Sequence, residues 1–163
     1  MKTQTRAACR LRIQWMEGND LNAAFDLEQA ANEHPWNALQ FAETLFQPNC
    51  VGLVAVMDKT VVGYAIVQGT EDGIRIWRLA VSPQYQRRGI ASRIIAHLVC
   101  KLTDMPKKQI SLEVRESNLP TQLFLRSLGF KAVRIERDFY EDSHEDAYFM
   151  QYTHRARMCV KAA

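Results

Sequence analysis

No apolar run in this sequence approaches the roughly 20 residues that a membrane-spanning helix needs, so an integral helical membrane protein is excluded as a class. The four cysteines stand at positions 9, 50, 100 and 159. None forms a C-x-x-C pair, and their wide spacing fits no zinc pattern, which leaves free or buried thiols in a reducing compartment. The four histidines, at 34, 97, 144 and 154, form no H-E-x-x-H or similar cluster, so no metal is expected. A net charge of +3 over 163 residues is too small to imply a nucleic-acid partner, although it suits an anionic cofactor. The basic start lacks the apolar stretch of a secretory leader, because Arg10 and Arg12 interrupt it. The expectation is a cytoplasmic protein with no membrane partner; nothing in the sequence bears on oligomeric state. Repeats, low-complexity stretches and linkers are absent too.

What is present is ordinary for a soluble globular chain: 47% apolar and 24% charged residues. That length fits one domain, 1–163, able to bury a sizeable core. Leu11, Ile13 and Trp15 alternate with polar residues as in a strand. Asn19-Asp20 offer an N-cap for a helix through about Ala31, in which Leu21, Ala24, Phe25, Leu27 and Glu28 recur at helical spacing. His34-Pro35-Trp36 breaks it, and a second helix follows over about 37–46. Three strands at 51–57, 61–68 and 74–81 are joined by short turns and so form an antiparallel meander. Over 89–102, Ile90, Ile94, Leu98 and Leu102 line one helical row, widened by Ala91, Ile95 and Val99. A strand at 109–115 then implies a parallel crossover. Asn118 caps a last helix ending at Gly129, and strands at 130–137 and 148–152 close the core, about 10–152. Residues 153–163 lack periodicity and are expected to fray.

The segment Gln86-Arg87-Arg88-Gly89-Ile90-Ala91 lies between the strand ending near Val81 and the helix that follows. Unpaired N–H groups in a first helical turn, together with the helix dipole, favour a negative ligand there. Gly89 lets the backbone approach such a ligand closely, and the small Ala91 does not block it. The pattern Q-x-x-G-x-A resembles the pyrophosphate-binding signature of the GNAT family of acetyl-CoA-dependent N-acyltransferases. The element order, strand-helix-helix-three strands-helix-strand-helix-two strands, is likewise that of the GNAT fold. The resemblance therefore implies an α/β (α+β) architecture with a mixed central sheet of about seven strands and about four helices. It also implies acetyl-CoA as cosubstrate, held by Leu79, Ala80 and Val81 of the preceding strand and by Gln86, Arg87, Arg88, Gly89, Ile90, Ala91 and Ser92. Taken alone, Leu79 to Val81 read equally as a core strand, and Arg87 and Arg88 as solvated charges.

A second block, Leu112-Glu113-Val114-Arg115-Glu116-Ser117-Asn118 followed by Leu125-Arg126-Ser127-Leu128-Gly129-Phe130, is similar to that of the ribosomal-protein alanine N-acetyltransferases, the GNAT branch that acetylates protein N-termini. Pro35-Trp36 matches this branch in the loop beside its peptide site. By this resemblance Glu113 falls on the general base, Asn118 on a cofactor contact, and Pro35 and Trp36 on the acceptor site, to which Tyr140 is added as a candidate. The residues themselves permit other roles: Glu113 as an outward residue paired with Arg115 or a neighbouring strand, Asn118 as a plain N-cap. One position departs. The branch's general acid is a tyrosine where this chain has Leu125, which cannot donate a proton. Three readings follow: an N-acetyltransferase for a protein N-terminus or other primary amine; one for a lysine or small amine, favoured if Glu33, Glu141, Asp142, Glu145 and Asp146 line an acidic cleft; or a weakly catalytic acetyl-CoA-binding module.

Overall fold

The structure is a computed structural model that describes residues 10–105 and 108–155. The expectations for the N-terminal start and for positions 156–163 of a frayed tail lie outside those residues; at the start of that tail, Thr153 belongs to the last strand and the His154 N–H donates to the Lys108 carbonyl at 2.7 Å, so fraying does not begin at 153. Among the described residues, seven strands and four α-helices follow one another as β1 (Arg12–Trp15), α1 (Leu21–Ala31), α2 (Ala38–Leu45), β2 (Cys50–Met57), β3 (Thr60–Thr70), β4 (Gly73–Val81), α3 (Ile90–Leu102), β5 (Gln109–Arg115), α4 (Leu119–Ser127), β6 (Lys131–Tyr140) and β7 (Glu145–Thr153). The strands hydrogen-bond in the order β1-β2-β3-β4-β5-β7-β6. This is the expected mixed sheet: β4 and β5 run parallel, while β5 with β7 and β6 with β7 run antiparallel.

The chain divides into two compact units, one holding the described residues up to Val67 with Arg78–Ile95, the other Gln68–Trp77 with those from Ala96 onward. In the first, Leu53 to Val56 of β2 and Val62 to Val67 of β3 are buried with Ala24 and Leu27 of α1, Phe41 of α2, and Ile90, Ile94 and Ile95 of α3. Phe41 packs its ring against Phe25 and Tyr64, with centroids 5.6 and 5.7 Å away. Asn37 closes a capping box with Gln40 at the start of α2. Asp20 is the N-cap of α1, as expected, but its side chain makes no capping bond to the helix. Gly18–Asp20 form a 3-10 turn that runs straight into the helix, so Asp20 is already helical; its carboxylate reaches back to the Glu17 N–H at 2.9 Å.

In the second unit, Ile110, Leu112 and Val114 alternate inward along β5 as their spacing requires, over Leu98, Leu102, Leu125, Phe130 and Met150. Parallel pairing of β4 with β5 runs from Gly73↔Gln109 to Arg75↔Ser111. Gly73 permits its start. Its φ is +141°, and a Cβ there would stand 2.1 Å from the Gln109 carbonyl oxygen. Strands β6 and β7 are longer than their sequence suggests, and Tyr140 and Glu145 lie inside them. The charged run Arg134 to Asp138 hides β6, an edge strand with two register shifts against β7.

Candidate functional site

In the first unit the β4 strand delivers the backbone of Leu79, Ala80 and Val81 to a short 3-10 turn, Pro83–Tyr85, and then to the 86–92 segment. Ala80 and Val81 turn their side chains into the core, so what they offer a ligand is main chain. The Gln86 side chain donates to the Val81 carbonyl at 3.1 Å and closes the turn on the strand end. Arg87 and Gly89 both take positive φ, +60° and +76°. The space beside Gly89 where a side chain would stand is open. Ile90 is buried, so its contribution to a ligand is its N–H, at a helix start where the Arg93 N–H already bonds the Gly89 carbonyl at 3.1 Å. Arg88 lies over the Tyr85 ring at 5.1 Å. Main-chain donors, positive φ and exposed guanidinium groups gather in one turn, an arrangement suited to a pyrophosphate.

One residue that sequence reasoning missed organises the same unit. Glu28, assigned to the apolar stripe of α1 by its spacing, is fully buried. Its carboxylate accepts from the Arg78 guanidinium at 2.5 to 3.1 Å, from the Trp36 N–H at 2.7 Å, from the Tyr64 hydroxyl and from Asn32. Burial, and then the neighbouring Glu28 charge, push the Tyr64 phenol far up, so it stays protonated and donates. Arg78 also donates to the His34 carbonyl at 2.6 Å and stacks its guanidinium 4.8 Å over the Trp36 ring. Pro35 is exposed and Trp36 half-buried. A cavity of about 320 Å³ elsewhere in this unit, lined among others by Trp15, Met16, Phe46 and Cys50, contains none of the candidate residues.

In the second unit Glu113 stands on β5 with its side chain only 8% exposed, and its Oε1 accepts from Arg75 of β4 at 2.6 Å. Its partner is therefore on the neighbouring strand, and Arg115 is engaged elsewhere. The Arg115 guanidinium donates to Asp142, Ser143 and Glu145 at 2.7 to 3.0 Å and covers the Tyr140 ring at 3.8 Å. Hydrogen bonds from Ser117, Ser143 and Arg115 hold the Glu145 carboxyl down at about 2. Asp146 pairs with Arg137 and accepts from the Asp138 N–H. Asp142, Glu145 and Asp146, three of the candidates for an acidic cleft, are thus engaged by Arg115 and within the β6–β7 hairpin. Asn118 is an N-cap, its Oδ1 accepting from the Thr121 N–H at 3.2 Å. Leu125 is fully buried. Among the described residues, no three metal-ligating side chains come together and no helix is long and apolar enough to cross a membrane.

Comparison with known proteins bears on this arrangement. The family model described as "Acetyltransferase (GNAT) family" matches residues 21–130. The [ribosomal protein bS18]-alanine N-acetyltransferase of Escherichia coli K12 is 32% identical over 140 residues, 85% of this chain and 94% of that protein. A putative enzyme of the same name from Bacillus subtilis is 27% identical over 92% of this chain and 97% of its own length. The crystal structure of the ribosomal-protein-S18-alanine N-acetyltransferase from E. coli matches 91% of this chain and 98% of its own, with a TM-score of 0.79 at 29% identity. Arabidopsis thaliana Naa50, solved with the bisubstrate analogue CoA-Ac-MVNAL, shares the fold, with a TM-score of 0.75 at 17% identity over 88% of this chain and 99% of its own.

Proposed function

Because the chain belongs to the GNAT acetyltransferase family, we propose that it acetylates the α-amine of a protein N-terminus by direct transfer in a ternary complex. Acetyl-CoA is its cosubstrate. The observation that carries the choice of acceptor is the 32% identity, spanning 94% of the relative's length, to an enzyme that acetylates a ribosomal-protein alanine. The block from Leu112 to Asn118 and the loop Pro35-Trp36 support it.

In this reading the main-chain N–H groups of 86–92 and the Arg87 and Arg88 side chains hold the pyrophosphate, while the main chain of Leu79 to Val81 and the Asn118 side chain orient the rest of the thioester. By the resemblance Pro35 and Trp36 fall at the acceptor site, with Tyr140 a further candidate. Glu113 takes a proton from the entering ammonium, through water, and the neutral amine attacks the acetyl carbonyl carbon. As the C–N bond forms the C–S bond breaks, and the electron pair leaves on sulfur. The nitrogen gives up its second proton to water, which supplies one to the thiolate, so the products are the amide, coenzyme A and the proton that Glu113 passes to solvent. Arg75 holds one oxygen of Glu113, which leaves the carboxylate's second oxygen to serve the proton. The chain provides no acid at Leu125, so water protonates the thiolate, which is already a fair leaving group with an unperturbed pKa near 8.5. General acid catalysis typically contributes about 10²–10⁴-fold, so turnover is slower than with a tyrosine there but not abolished.

The small-amine reading loses ground because Asp142, Glu145 and Asp146 are engaged within the hairpin and by Arg115. A direct test measures coenzyme A release with an alanine-initiated peptide, the same peptide blocked at its N-terminus, and spermidine. Release with the free peptide alone supports the assignment; release with spermidine and neither peptide overturns it.

A further inference from the structure

The Glu28 network links the loop at residues 34–36 to β4, where Arg78 immediately precedes Leu79. A buried carboxylate is costly unless its oxygens are fully served, and here four donor groups converge on it, two from strands β3 and β4 and two from the segment that follows α1. Two of the contacts are to the loop itself. Glu28 accepts the Trp36 N–H, and its partner Arg78 holds the His34 carbonyl while lying over the Trp36 ring. The Trp36 carbonyl is fixed from the other side by the Gln29 amide at 2.7 Å. A loop needing only stability has no call for a desolvated ion pair, since an apolar core of similar volume is as stable or more so. What the ion pair adds is direction. Its bidentate geometry fixes the loop backbone relative to the strand that carries Leu79 to Val81.

We propose that Glu28 and Arg78 are positioning residues for the acceptor, acting through Trp36: they hold the Pro35-Trp36 loop at a set position relative to β4. The proposal rests on the assignment of that loop to the acceptor. It predicts that loosening the network raises acceptor KM and leaves acetyl-CoA KM near wild type, because the 86–92 turn is untouched.

The test compares Glu28→Gln, Arg78→Lys and Trp36→Ala, singly and as Glu28→Gln/Trp36→Ala, in steady-state acetylation of an alanine-initiated peptide, with soluble folded protein verified by circular dichroism. Arg78→Lys keeps the charge but loses the fork, and serves if Glu28→Gln fails to fold. The expected result is a rise in peptide KM of roughly tenfold for each single variant, with acetyl-CoA KM changed less than about twofold. The double variant should be no worse than Trp36→Ala, because Glu28 acts through Trp36. Unchanged peptide KM in folded Glu28→Gln and Arg78→Lys, with Trp36→Ala impaired, overturns the positioning role alone. Unchanged peptide KM in all three overturns the acceptor assignment of the loop as well. Equal rises for both substrates, or additive effects in the double variant, would mean a general packing role and also overturn it.

Discussion

Replacing Arg78 with methionine isolates the energetics of the buried network. The substitution keeps much of the aliphatic stem and removes the guanidinium, leaving the fully buried Glu28 carboxylate with Tyr64, Trp36 and Asn32 as donors. Breaking a buried ion pair from one side costs about 3–5 kcal/mol, because the remaining charge is stranded in a low dielectric. Two features pull the value toward the lower end: the Arg78 side chain is 20% exposed, so water can partly replace it, and three other donors stay in place. The expected loss is therefore about 3 kcal/mol. For a chain of this size each kcal/mol moves the melting temperature by roughly 2–4 °C, which gives a drop of about 6–12 °C. Thermal unfolding followed by far-ultraviolet circular dichroism, with urea titration for the free energy, reads both quantities. The companion is Glu28→Gln/Arg78→Met, in which no charge is stranded; it should be more stable than Arg78→Met alone, since removing both charges of a buried pair is often close to neutral. A loss below about 0.5 kcal/mol for Arg78→Met, the range of an ordinary surface change, would refute the reasoning. So would a double variant whose loss equals the sum of the singles.

Other outcomes follow from the same geometry. Gly89→Trp meets no neighbouring atom but must hold a side chain at φ +76°, at a cost of roughly 1–2 kcal/mol; in protein verified as folded it should abolish the rise in melting temperature that acetyl-CoA gives the wild type, and an intact rise would move the cofactor elsewhere. Glu113→Gln should lower kcat at neutral pH with acetyl-CoA affinity retained, the deficit shrinking at higher pH as more amine is neutral; a variant fully active across the pH range would leave only the ion pair with Arg75. Glu145 has a depressed folded pKa of about 2 against an ordinary value of 4.5, so it stabilises the hairpin above pH 4.5 and loses that contribution as pH falls toward 2. Glu145→Gln should flatten the acid limb of the stability profile, and an unchanged limb would contradict this. Leu125→Tyr should destabilise by about 1–3 kcal/mol in urea titration, because Leu125 is fully buried; a neutral result would show the site has room for the phenol.

Features carried by neighbours in sequence were legible before the structure. The 86–92 turn, the α3 row from Ile90 to Leu102 and the cap at Asn118 all depend on residues within a few positions of one another. Ion pairs between distant segments were not. Spacing put Glu28 on the inward face of α1 but could not name Arg78, 50 residues further on, and Glu113 meets Arg75 across 38 residues. A carboxylate on an inward face was itself the available signal, because burial of such a group demands a partner. The extent of β6 was obscured for another reason: an edge strand exposes most of its side chains, so its sequence alternates weakly and its pairing with β7 alone defines it.

N-terminal acetylation is tested by the position of the acetyl group on a peptide that begins with a free alanine and also contains an internal lysine, incubated with the protein and acetyl-CoA and sequenced by tandem mass spectrometry. The expected result is acetyl on the α-nitrogen of the alanine, an unmodified lysine, and loss of the product in Gly89→Trp. Acetyl on the lysine alone, or coenzyme A bound without transfer to any amine, would contradict it.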